Sequence, residues 1–275
     1  MTRAALETDL DDFQESQNWM IHAIPGQGKT IWATGAPNFS LWSAEPGAVS
    51  ARNYGRKGGL VRIKNWADAV ECRRALLNGE FDHRSWVIID TVSSLQNKNM
   101  NSVVDLAAAN NPKQDPDIPA IPHYQKQQNS LKRWVEAVVD YPNVNKIWLA
   151  HSLRIEDQDG GVQLIPTILG GADKGYPIAH YVMGLMNTVG YMEMRAKKDA
   201  EGKSRMVRRI LWQPYENPDT GVRYLAKDHF GALGTFTDNL DFPGHLKMVE
   251  AKREANEAAP AKKAAPRRGR QTEEE

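Results

Sequence analysis

The sequence predicts an α/β protein: a mostly parallel, doubly wound sheet covered by helices, with a C-terminal β-hairpin extension. Three observations carry this expectation. Short unbroken apolar runs, Trp86-Val87-Ile88-Ile89 above all, alternate with segments of helical period. A Gly-rich loop, Pro25-Gly26-Gln27-Gly28-Lys29-Thr30, joins the first apolar run to the first helix. Two strand-like stretches, 186–195 and 205–213, flank a polar turn from Lys197 to Lys203.

Taken in order, residues 1–18 are acidic and polar and read as a lead-in rather than a signal peptide. Residues 19–23 form the first core strand. A short helix follows from Lys29 to Thr34 and stops near Gly35 and Pro37. Phe39–Ala44 is a second strand that closes at Glu45, before a Pro46-Gly47 turn, and Leu60–Ile63 is a third. Asn65 caps a helix whose apolar face is Trp66, Ala69, Val70, Leu76 and Leu77, with Gly79 as its stop. Trp86–Asp90 has the signature of a buried strand. The polar, Pro-rich stretch Asn97–Pro122 reads as a surface loop. The helical period returns from Tyr124 to Val139 through Leu131, Trp134, Val135 and Val138. Lys146–Ala150 is the next strand, ending at His151. Residues 152–180 are rich in Gly, Asp and Pro with little periodicity, and Arg223–Ala226 suggests one more strand. From residue 251 the composition turns to Ala, Lys, Arg, Pro and Glu, which predicts a disordered tail. The organisation expected is a lead-in (1–18), one domain (19–250) and a tail (251–275), without internal repeats.

Composition bounds the function. The 275 residues carry a formal net charge of +1, so no global field argues for a polyanion and local patches must make that case. Hydrophobic residues make up 41% and charged residues 25%, as in an ordinary globular domain. The single Cys72 rules out an intramolecular disulfide, suits a reducing cytoplasm, and reads as a packed helix residue. No apolar run approaches the ~20 residues of a membrane span. The seven histidines and one cysteine show no metal spacing.

The Gly-rich loop nearly completes the pattern G-x-x-x-x-G-K-[ST] of a phosphate-binding loop; Ala23 stands where the first glycine is wanted. Gly26 and Gly28 are small enough to let backbone N–H groups turn toward phosphate oxygens, and Pro25 and Gln27 complete the candidate nucleotide-binding loop. Lys29 would reach the terminal phosphates and Thr30 would ligate Mg²⁺, the bound nucleotide being ATP. Asp90, at the end of its apolar strand, is the second candidate for the Mg²⁺ site; the alternative is an Asp that caps a turn with Thr91 and Ser93. Glu45, at the carboxyl end of the strand after the loop helix, is the candidate to orient and deprotonate an attacking water, against a merely solvated Glu before a turn. His151 also ends a strand and is the candidate sensor of the terminal phosphate, against a hydrogen-bonded strand-end histidine. His22, inside the first strand, reads as a packed histidine.

Together these residues resemble the RecA-like branch of P-loop NTPases. More closely, the chain resembles a group of phage-encoded single-domain ATP-binding proteins described as Sak-type single-strand annealing recombinases. The matching pieces are Ile24–Thr30, Ser43-Ala44-Glu45, Val87–Thr91, Ile147–His151 and Leu225–His229, the last with His229 where the group has Arg. The resemblance implies a RecA-like P-loop ATPase that binds single-stranded DNA and promotes annealing or strand exchange in phage recombination. It implies a homo-oligomer, ring or filament, in the host cytoplasm, away from any membrane, with a single-strand-binding protein as a further partner. It makes Lys227 a candidate for contact with a neighbour's nucleotide, with a surface lysine as the alternative. It places DNA contacts in the loops after the third and fourth core strands, where Arg154, Lys174 and Tyr176 are the candidates. The tail cations Lys262, Lys263, Arg267, Arg268 and Arg270 would gather polyanions or simply solubilise the chain. The rival reading is an ATPase that loads or remodels a replication protein without touching DNA.

Overall fold

The computed structural model describes residues 16–156, 160–168, 178–199 and 201–258. In chain order the elements are β1 (Asn18–Ala23), α1 (Lys29–Ala33), β2 (Phe39–Ser43), α2 (Ala48–Asn53), β3 (Gly59–Arg62), α3 (Trp66–Leu77), β4 (Trp86–Asp90), α4 (Val92–Asn110), α5 (Ile121–Val139), β5 (Asn145–Glu156), β6 (Val162–Pro166), α6 (Ile178–Leu185), β7 (Thr188–Lys198), β8 (Ser204–Leu211), β9 (Tyr215–Glu216), β10 (Val222–Tyr224), β11 (Lys227–Asp228), β12 (Phe236–Asp238) and α7 (Phe242–Ala258).

The main sheet runs β12-β8-β7-β1-β5-β4-β2-β3. From β3 to β7 every neighbouring pair is parallel, and β8 and β12 then add antiparallel. The expected parallel sheet and hairpin extension are therefore both present. Alternation along the strands sorts side chains onto two covered faces. Met20, Trp42, Val87, Ile89, Trp148 and Val189 pack against α3, α4, α5 and α6. Trp19, Ile21, Leu41, Ile88, Leu149 and Ile210 pack against α1 and α7. Burial on both faces is why these strands read as unbroken apolar runs. On the second face Trp19 lies within 5.3 Å of Phe242 and 5.8 Å of Trp212, ring centroid to centroid, both edge-on. Edge-to-face packing of this kind adds about 0.5–1.5 kcal/mol per pair beyond area burial.

Several expectations need correction. The stretch after Asn97 is helix α4, not loop, as far as Asn110. Its polar composition hides a buried stripe at helical spacing, Leu95, Gln96, Asn99 and Val104. The amides on that stripe are satisfied by α5: Asn99 Nδ2 donates to Gln127 O and Ser130 Oγ, and Gln96 Nε2 to Gln127 Oε1. On α3, Asn65 forms the expected cap, but the buried face is Ala69, Cys72, Ala75 and Leu76, while Val70 and Leu77 face solvent. Tyr124 is exposed, and α5 buries Leu131, Trp134, Val135, Val138 and Val139. Residues 152–156 and 162–166, read as irregular, are strand: from Ser152 onward β5 leaves the main sheet and pairs antiparallel with β6. Asn18 belongs to β1, and α7 continues to Ala258, past residue 251 where the tail was expected to begin. The tail cations lie outside the described residues. Among the described residues no helix is long and apolar enough to cross a membrane.

Candidate active site

The carboxyl ends of β1, β2, β4 and the main-sheet part of β5 converge on one cleft. Pro25, Gly26, Gly28, Lys29, Thr30, Glu45, Asp90 and His151 line it, together with Ile31, Gly47, Ser50 and Thr91. Strand order explains the convergence. β1 neighbours β5, which neighbours β4, which neighbours β2, so the four strand ends stand side by side.

The loop after β1 takes its shape from two glycines with positive φ, Gly26 at 83° and Gly28 at 89°. A side chain disfavours both conformations, which is the physical content of the glycine spacing. Gly28 caps α1, so the helix opens directly onto the cleft. Lys29 is buried, and its ammonium donates to Ala23 O at 3.0 Å and Ile24 O at 3.3 Å. An ammonium has three hydrogens, so these two bonds aim the third. Burial lowers the Lys29 pKa, against the opposing charges of Asp90 and Glu45. Ala23, the departure from the loop pattern, is fully buried within β1 and supplies one of these two carbonyl acceptors.

Thr30 Oγ1 donates to Asp90 Oδ2 at 2.9 Å, joining α1 to the end of β4. Burial pushes the Asp90 carboxyl up to about 6, against the Thr30 hydrogen bond and with help from the Glu45 charge. Gly47 faces this pair: a Cβ there would stand 2.8 Å from Asp90 Oδ2 and 3.3 Å from Thr30 Oγ1. Two hard oxygens with space kept open beside them fit Mg²⁺. Among the described residues no group of three or more His, Cys, Asp or Glu forms a metal cluster. A divalent ion held here would therefore complete its shell with oxygens of a bound phosphate or water.

Glu45 lies two residues past the end of β2 and is held through one oxygen. Oε1 accepts from Thr91 Oγ1 at 2.5 Å, from Ser94 Oγ, and from His151 Nε2 at 2.8 Å. Burial opposes the charge, but the hydrogen bonds from His151, Ser94 and Thr91 outweigh it and hold the carboxyl down at about 2. Because an ionised carboxylate only accepts, His151 Nε2 carries a hydrogen. His151 is fixed in turn by its backbone, N–H to Ser93 Oγ at 3.0 Å and C=O from Thr167 N–H at 2.7 Å. Its Nδ1 is buried without a partner. Glu45 Oε2 has no protein partner among the described residues, so it is the oxygen left to hold a water.

The sequence-derived residues divide cleanly. The loop residues, Glu45, Asp90 and His151 meet at the cleft, with Gln27 behind it. His22 is buried in β1 between Ser152 Oγ (2.9 Å) and Leu225 O (3.2 Å), a packed histidine. Lys227 is half-buried and donates to Met183 O and Gly184 O near the end of α6; it does not line the cleft. Arg154 is exposed on the outer part of β5 and also lies off the cleft. Lys174 and Tyr176 fall outside the described residues. The residues not foreseen in these roles are Gly47, Thr91 and Ser94. Thr91, the N-cap of α4, and Ser94, in its first turn, are three apart, spacing that puts both hydroxyls on one side. A Thr-x-x-Ser directly after a strand-ending Asp was the available signal.

Among models of known families, one described as an AAA domain matches residues 15–228, most of the chain. No curated protein matches.

Proposed function

The chain belongs to the AAA domain family, of P-loop NTPase type, and from that premise we propose that it is an ATP-binding, Mg²⁺-dependent ATPase. We extend the reading to its substrate: it acts with single-stranded DNA, promoting annealing or strand exchange in phage recombination. The observation that carries the hydrolytic part is Glu45, pinned through Oε1 by three donors with Oε2 left open at the mouth of the phosphate loop.

The roles follow from the geometry. The Gly26–Thr30 backbone offers N–H groups to phosphate oxygens, and the start of α1 adds its positive end. Lys29, tethered to Ala23 and Ile24, presents its remaining N–H to the terminal phosphates. Thr30 and Asp90 would hold Mg²⁺, which when bound offsets charge building on the β- and γ-phosphates. Glu45 Oε2 orients the attacking water and takes its proton. A carboxylate held near 2 is a weak base, so its main contribution is placement. His151 holds Glu45 and connects it to the outer half of β5, which carries Arg154.

The DNA part is supported by the order of the motifs that resemble the Sak-type group. A second reading, an ATPase that remodels a protein partner, is favoured by the exposed apolar residues Leu106, Ile118 and Ile121 around α4 and α5. One set of measurements tests both. Nucleotide binding is followed by calorimetry, and turnover with and without oligonucleotides, for the native protein, Lys29→Ala and Glu45→Gln. The ATPase reading expects Lys29→Ala to lose binding, and Glu45→Gln to bind while turning over about 10²–10⁴-fold more slowly. Turnover by Glu45→Gln at the native rate removes the assigned base. Native turnover indifferent to single strands removes the DNA part and leaves the second reading.

A further inference from the structure

The β7–β8 hairpin touches the phosphate loop at one end and is net cationic at the other, where five basic residues stand against Asp199 and Glu201 of the turn. Its contact with the loop is a single cross-strand pair, Met194 and Arg208. Both hold Gln27. Met194 N–H donates to Gln27 Oε1 at 2.5 Å, and Arg208 Nε donates to Gln27 O at 3.2 Å. The Arg208 guanidinium covers Gly28 so closely that a Cβ there would meet Nη2 at 2.5 Å. In a trans peptide the carbonyl and the following N–H point in opposite directions. Pinning Gln27 O to the hairpin therefore turns the Gly28 N–H away from it, and Gly28 lines the cleft.

Beyond this pair the strands run on into solvent. Arg195, Lys197, Lys198, Lys203 and Arg205 are all exposed. Lys197 has Asp238 at 2.9 Å, and Arg195 has Glu193 only at 3.7 Å. Among the described residues no carboxylate pairs with Lys198, Lys203 or Arg205. Lys197 and Arg205 are register partners, so two like charges stand directly opposite each other. Such a pair weakens a hairpin unless an anion lies between them. On the other face Ala196 pairs with Met206, which is 58% exposed and offers a soft apolar contact. Arg195, Lys197 and Arg205 share one face and Lys198 lies beside the apolar pair on the other, a mixture of cations and apolar contact that suits a flexible strand with phosphates and bases more than a smooth anionic surface.

We propose that this hairpin is an arm that grips single-stranded DNA, and that the Met194–Arg208 pair transmits the contact to the phosphate loop through Gln27. The proposal rests on the single-strand reading above and adds to it the surface and the route.

The test is fluorescence anisotropy of a labelled oligothymidylate with the full chain, across a salt series, with and without ATP and Mg²⁺. Replacing Arg195, Lys198, Lys203 and Arg205 together by Ala is expected to weaken binding at least about tenfold and to lower the log–log salt slope by about 2–3. The charge-preserving Arg195→Lys/Arg205→Lys variant is expected to bind as the native protein does. Arg208→Gln is expected to abolish the difference between DNA affinities measured with and without ATP, and Arg208→Lys to restore part of it. A four-site variant that melts like the native protein and binds DNA equally well overturns the arm while leaving the single-strand reading intact. A native protein that binds no oligonucleotide overturns that reading and the arm with it. A native DNA affinity indifferent to ATP, or a difference that survives in Arg208→Gln, overturns the route.

Discussion

His151 Nε2 lies 2.8 Å from Glu45 Oε1, linking β5, the strand beside β1, to the residue proposed to hold the attacking water. The two are 106 positions apart in the chain and meet only because β5 lies between β1 and β4. The bond fixes one carboxylate oxygen and leaves the other open to the cleft. It also ties Glu45 to β5, and so to the segment that follows it.

The donors around Glu45 set the pKa of its carboxyl. Each stabilises the ionised carboxylate, so removing one raises its pKa, and burial acts in the same direction. Ser94→Ala is expected to move the Glu45 pKa upward from about 2 toward the ordinary glutamate value of 4.5, read from the carboxyl ¹³C shift across pH. Thr91→Val should do the same and also lower the melting temperature, because Thr91 Oγ1 caps α4 by accepting from Ser94 N–H at 3.2 Å. That cap is worth about 1 kcal/mol. Carboxyl ¹³C titration beside thermal melts separates the two effects.

Gly47 keeps space open next to the Thr30–Asp90 pair. Its φ of −58° suits any residue, so Gly47→Ala costs the backbone nothing, but the new methyl stands 2.8 Å from Asp90 Oδ2. The expected result is a protein that needs more Mg²⁺ for half-maximal ATPase activity. A Mg²⁺ titration of turnover reads this directly.

Two buried histidines make the fold sensitive to acid. Burial holds both His22 and His245 down to about 4, from an ordinary 6.5. Between those values the unfolded chain binds more protons than the folded one, so stability falls as pH drops from 6.5 and levels off near 4. Each histidine contributes up to about 3 kcal/mol to that loss. Asp90, pushed up to about 6, acts in the opposite sense over part of this window. The His245→Gln difference isolates one residue: its denaturation free energy should change less between pH 7 and 4 than that of the native protein.

Gly190 on β7 is a packing glycine. A Cβ there would meet Ile21 Cδ1, Ile210 Cγ2 and Trp212 Cζ3, each at 2.7 Å. All three are core side chains, so Gly190→Ala is expected to cost about 1–3 kcal/mol by overpacking. Urea denaturation measures it.

What could be read from the chain was governed by periodicity and by local pattern. Trp86–Ile89 and Ile147–Ala150 stood out because burial on both faces makes successive positions apolar. The glycines of the phosphate loop stood out because two positive-φ positions admit little else. Helix α4 was missed because its inward face carries Gln96 and Asn99, whose partners Gln127 and Ser130 come from α5 and are invisible to a local window. The face of α3 was misjudged because Val70 and Leu77 are apolar yet exposed, while the smaller Cys72 and Ala75 fit closer to the sheet. At the site, Glu45, Asp90 and His151 were legible as strand ends. The hydroxyls that hold Glu45, and the arginine behind Gly28, were not, since both depend on which strands become neighbours.

Strand β1 has no free edge: β5 pairs along one side and β7 along the other, and all six of its residues are buried. Its amides should be among the last in the molecule to exchange with deuterium. The small outer sheet of β6, β9 and β10 has no such enclosure and opens at lower cost. A partly melted molecule would thus still carry its phosphate-gripping loop on intact footing, able to capture nucleotide before the periphery has closed.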